Sequence, residues 1–125
     1  MSVAVGSPAL RAIEVALELL ADAGITATDD AGAFYPQPTG VLVGLPSQAS
    51  RGLASRTYTL PVLVVSADPL NSALARQRIY ALADDVAFAL HADNFRTSSW
   101  AADPNAAPHP ALEVTLTVSI AEEAP

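Results

Sequence analysis

The sequence predicts an α+β fold, a mostly antiparallel sheet of about five strands with two helices packed on one face, in the order α-β-β-β-α-β-β. Helical spacing of apolar residues appears twice, after Ser7 and again between residues 69 and 91. The late stretch ALEVTLTVSI alternates apolar and polar residues, as one buried and one wet sheet face require. Between these landmarks lie short β-branched runs separated by Gly, Pro and Asp, which favours hairpin-like connections over parallel crossovers.

Ser7 and Pro8 read as N-cap and first helical residue, since the hydroxyl satisfies an amide and Pro has none to satisfy. Leu10, Ile13, Ala16, Leu17 and Leu20 then form one stripe, with Arg11, Glu14, Glu18 and Asp22 away from it, and Gly24 supplies a left-handed stop. ITAT is expected as a short strand, DDAGAFYPQP as a loop, TGVLVGLP as a second strand and SQASRG as a turn. LASRTYTLPVLVVS reads as a long extended segment with Tyr58, Leu60, Val62 and Val64 on one face. Pro61 within it is expected at a bulge or on the open side of an edge.

The second helix is expected over 69–91, capped by Asp68 with Pro69 at its first position, or by Asn71, with Ala75, Ile79, Leu82, Val86 and Ala89 as its core stripe. A short strand around FRTSSW, a Pro-rich loop AADPNAAPHP and the alternating strand follow. In that strand Leu112, Val114, Leu116, Val118 and Ile120 are the buried set.

A chain of 125 residues suffices for one core and not for two. Residues 1–125 are therefore read as a single domain, with loose ends at about 1–6 and 121–125. Apolar residues make up 51% and charged residues 15%, which disfavours disorder. No run approaches the roughly 20 apolar residues of a membrane span and no basic flank precedes an apolar stretch, so synthesis in the cytosol is expected. The absence of Cys excludes disulfides, thiolate chemistry and the usual structural zinc site. At a formal charge of -7, with all six cations Arg and scattered, avid nucleic-acid binding is not expected. A mean hydropathy of +0.33 points to apolar surface covered by another subunit.

Chemistry-bearing residues form no catalytic pattern. The turn VVSADP lies between a strand and a helix, yet it has neither Gly nor Lys, and Asp68 puts a carboxylate where a phosphate would sit. His91 is expected at a helix end and His109 in a loop between prolines, both as surface residues. The neighbours Asp84 and Asp85 point about 100° apart on a helix, and Asp29-Asp30 opens a turn. Glu14, Glu18 and Asp22 stack along one helix face, read as solvated. No catalytic, cofactor or metal residue is assigned, and no cofactor or enzymatic activity is expected. Leu74, Ala81 and Phe88, in contrast, recur every seven residues opposite the core stripe, with Gln77 and Asp84 among them. A helix resting on a sheet does not need that second apolar strip, so either loops or another subunit cover it.

The element order, the stretch YTLPVLVVSADPLNSALARQRIYALADDVAFAL and the strand ALEVTLTVSI resemble the tail terminator (tail-completion) proteins of long-tailed, non-contractile bacteriophages. The resemblance implies a non-enzymatic ring, typically of six subunits, in the virion tail or neck. Such a ring caps the tail tube, stops its polymerisation and presents a head-tail joining surface to the head connector. The partners implied are further copies of the chain, the tail tube protein and the connector, with DNA passing through the lumen without specific binding and no membrane involved. The acidic balance fits such a lumen, because like charge keeps DNA from sticking to the wall. Within that reading the interface residues are Arg51 and Arg56 flanking a turn between strands, Arg76 and Arg78 on the second helix, and Leu74, Ala81 and Phe88. Two alternatives remain open from sequence: another neck or connector component, or a small-ligand-binding domain using Tyr35, Tyr58, Trp100 and His109 around a pocket between sheet and helices.

Overall fold

A twelve-residue strand and a thirteen-residue strand, antiparallel along almost their whole length, form the spine of the computed structural model, which describes residues 7–52 and 54–121. In chain order the elements are α1 (Pro8–Asp22), β1 (Thr39–Val43), β2 (Ser47–Arg51), β3 (Ser55–Ser66), α2 (Ala73–Ala89), β4 (Arg96–Trp100) and β5 (His109–Ala121). All strand pairs are antiparallel: β1 and β2 lie one beyond the other along one side of β3, β5 lies on its other side, and β4 flanks β5. The chain is thus an α+β fold of two helices and a five-stranded antiparallel sheet, in the expected order.

Alternation decides which sheet face is buried. Tyr58, Leu60, Val62 and Val64 of β3 and Leu112, Val114, Leu116 and Val118 of β5 form one apolar surface, and both helices pack on it. From α1 the surface receives Ala12, Ile13, Ala16 and Leu20, and from α2 Ile79, Ala83 and Val86. Leu10, expected in the stripe, is exposed. The buried row runs Ala12, Ala16, Leu20 at steps of four, where small side chains let the helix approach the sheet, and Leu10 lies rotated away from it. In α2, likewise, Leu82 and Ala89 are only partly buried and Ala83 and Ala87 take their places.

Both helices end in the same way. The amides of Gly24 and Ile25 donate to Ala21 and Leu20, and those of His91 and Ala92 donate to Phe88 and Ala87, the paired bonds of a Schellman stop. Gly24 takes the left-handed conformation, φ 79°, at no steric cost, whereas His91 adopts φ 56° with a side chain, a strain of about 1 kcal/mol.

Several boundaries differ from the sequence reading. Residues 25–28 make no strand, only a parallel bridge from Thr28 to Leu42. The Thr28 hydroxyl then accepts the Asp30 amide and the Asp30 carboxylate accepts the Gly32 amide, turning the chain away. Residues 47–51, expected as a turn, are β2; every one is exposed, and backbone pairing to β3 forms the strand without a buried face. Neither Asp68 nor Asn71 caps α2. Ser72 does, accepting the Ala75 amide at 3.1 Å, because residues 67–71 are held in a turn by the buried Ser66 hydroxyl, which bonds both the amide and carbonyl of Asp68. His109 belongs to β5, opposite Trp100, and not to a loop. Of the ends expected to be loose, Ala121 closes β5, while residues 1–6 and 122–125 lie outside the described residues.

Pro61 sits in an interior strand and not on an edge, at the point where its pairing passes from β1 to β2 and the register slips by one residue, a bulge-like irregularity. Its carbonyl accepts the Gly44 amide at 2.7 Å, where β1 has ended and β2 has not begun. The donor that Pro lacks would point into that junction, so the cost is one reciprocal bond at the end of the β1 ladder and not a break within it. The approach is close enough to require glycine: a Cβ on Gly44 would lie 2.6 Å from Pro61 Cγ.

Candidate functional site

The strip opposite the core of α2 is open to solvent. Phe88 is 85% exposed and Leu74 55%, and Ala81 between them is exposed too. At 1.5 Å per residue the strip spans about 21 Å. Arg78 follows Leu74 by four residues and borders the strip, so a cation flanks its apolar centre. Arg76 lies on another side of the helix, where its guanidinium donates to the Leu70 carbonyl at 3.0 Å and ties the preceding turn to α2.

Arg51 and Arg56 are cross-strand partners at the end of the β2–β3 hairpin. The Gly52 amide donates to the Ser55 carbonyl and closes that hairpin. The two arginines sit at the far end of the sheet from β1 and β4 and are not brought together with the α2 strip, so the residues expected at interfaces fall on two separate surfaces.

The acidic face of α1 is partly neutralised. Arg11 reaches Glu18 at 3.4 Å and Glu14 at 3.5 Å, and the Glu18 charge, followed by its hydrogen bond, raises the guanidinium above its ordinary pKa. The four aromatic and histidine candidates for a ligand pocket do not converge. Tyr58 is buried in the core beneath the helices, whereas Trp100 and His109 stack on each other, centroids 6.0 Å apart. Phe34 meets Trp100 edge-on at 4.9 Å, and Tyr35 is exposed. His91 is exposed at the end of α2. Among the described residues no group of three or more His, Asp or Glu side chains is placed to hold a metal ion, and no helix is long and apolar enough to cross a membrane.

One feature was not anticipated from the sequence. A groove of about 570 Å³ runs between Val15 and Leu19 of α1, the turn from Leu90 to Asn94, and β5 from Thr115 to Ser119. It exists because β4 pairs with β5 only through Glu113 while β3 pairs with it up to Ala121. Beyond Glu113 one side of β5 has no neighbouring strand among the described residues. The signal available in the sequence was the difference in length between FRTSSW and ALEVTLTVSI; where the shorter strand aligns on the longer one is set by register.

No protein-family model matches this chain, and no curated protein matches it either.

Proposed function

We propose that this chain is a structural protein of a phage tail. It forms a ring, of six copies by the resemblance drawn above, that seats on the last ring of the tail tube, halts polymerisation and offers its outer surface to the head connector. The observation that carries this reading is the exposed Leu74, Ala81 and Phe88 strip, because it lies within the very stretch on which the resemblance rests and gives α2 a second apolar surface suited to a protein partner. The formal charge of -7 per chain supports it in a second way, since a ring of such subunits repels the DNA that passes through its lumen. The protein acts by shape and docking, and its place is the virion tail or neck.

Purified tail tube protein of the same phage, polymerised with and without this chain, tests the proposal. Tubes grown with it should carry a ring at one tip and stop lengthening. Tubes that grow to the same lengths and bear no added density would refute it.

A further inference from the structure

We propose that the groove beside β5 receives β2 of a second copy of this chain, so that copies join edge to edge and head to tail into a closed ring. The inference rests on the ring reading above and names the surfaces that build it.

Backbone geometry makes the groove a strand-receiving site. In an antiparallel ladder the N–H and C=O of one residue point to the same side, and opposed residues point either toward or away from each other. The Pro61 carbonyl bonds Gly44 and therefore faces β1 and β2. Its partner across the ladder is Thr115, which must face away from β3. By the same alternation Thr117 and Ser119 also turn their backbone groups toward the groove, where no strand pairs with them among the described residues. Apolar Val15, Leu19 and Leu90 border that row. Open backbone groups beside apolar side chains are what β-strand addition uses.

The occupant follows from the other side of the sheet. β2 is the outer strand there and fully exposed, and its residues lie at the heights of Thr117 to Ile120, within the edge of β5 left unpaired beyond Glu113. Its height along the strands matches as well: Ser47 opposes Thr59, which opposes Thr117, and Ser50 opposes Thr57, which opposes Ser119. In effect the sheet has a strand at one lower corner and a vacant place at the other. Both β2 and β5 are antiparallel to β3 and hence parallel to each other, so a neighbour related by rotation about an axis along the strands presents β2 in parallel. Because the height of β2 falls within that of the unpaired edge of β5, a neighbour can dock with no axial shift, as a closed ring requires and a helical filament does not.

Charge favours the same match. Residues 31–67, which contain β2, hold no Asp or Glu and two arginines, Arg51 and Arg56. Asp93 lines the groove. A strand with no carboxylate of its own thus meets a groove that carries one.

Two proline variants test the proposal. Thr117→Pro removes a donor facing the groove, and Gln48→Pro does the same on the outer side of β2, because Gln48 opposes Tyr58 and is out of phase with Ser47. Sedimentation velocity should show each variant alone losing self-association by at least about 100-fold at unchanged thermal midpoint. An equimolar mixture should form dimers and nothing larger, since each variant keeps the half that the other lacks. Should Thr117→Pro fail to fold, Ser47→Cys and Thr117→Cys chains mixed under oxidation provide the second readout, because the chain has no cysteine of its own. A disulfide between the two kinds of chain supports the proposal, and its absence at millimolar protein overturns it. If both proline variants assemble like wild type, this interface is wrong although the ring stands. If Thr117→Pro assembles but no longer binds tube tips, the groove belongs to a strand of the tube instead. A wild-type chain that does not associate, together with cysteine variants that form no mixed disulfide, overturns interface and ring together.

Discussion

Replacing Leu60 with alanine is expected to lower the unfolding free energy by about 3 kcal/mol, which for a chain of this length is a fall of roughly 10 °C in Tm. Leu60 is fully buried at the middle of β3, the strand that pairs with β1, β2 and β5, and its side chain lies in the layer between sheet and helices. Removing its outer carbons leaves a void that neighbours on two long paired strands cannot collapse to fill. Thr115→Ala, on the opposite sheet face, removes an exposed side chain and should change stability by no more than about 0.5 kcal/mol. The comparison separates the two faces of the sheet in a single calorimetric experiment. Equal losses for both variants would mean that the buried face has been misassigned.

Phe88→Asp should have the opposite profile, with little effect on stability and a large one on assembly. The ring is 85% exposed in the single chain, so its loss removes almost no packing. A carboxylate in the last turn of α2 opposes the helix dipole and costs about 0.3–1 kcal/mol. On a tube tip or connector, the partners proposed for this strip, burying a Phe side chain contributes about 1.5–3 kcal/mol, so the variant should bind at least about tenfold more weakly. Leu74→Asp, fourteen residues back on the same strip, should act in the same sense. Isothermal titration against tube tips measures the change. Wild-type affinity in both variants would remove the strip from the interface.

The contrast between what the sequence disclosed and what it hid follows from where side-chain burial reports on the backbone. β5 was legible because Leu112, Val114, Leu116 and Val118 alternate with polar residues, and α1 because Ser7 and Gly24 mark its ends. β2 was hidden because SQASR buries nothing, so no periodicity records its pairing. The start of α2 was misread because Asp68-Pro69 carries the stronger cap signature, while the turn built on Ser66 uses that dipeptide and leaves the cap to Ser72. At the level of sites, spacing on one helix made Leu74, Ala81 and Phe88 visible from composition and period alone. The groove beside β5 depends on register between strands far apart in the chain, which no local pattern encodes. Arg76 illustrates the same limit: its position on α2 suggested an outward role, and its guanidinium turns back to the Leu70 carbonyl.

The proposed role in ending tail growth is tested by the length of tails assembled in infected cells that lack this protein, seen by electron microscopy beside tails made with it. Overlong or unfinished tubes detached from heads are expected when it is missing, and uniform, joined tails when it is supplied. Tails of ordinary length, joined to heads in its absence, would contradict that role.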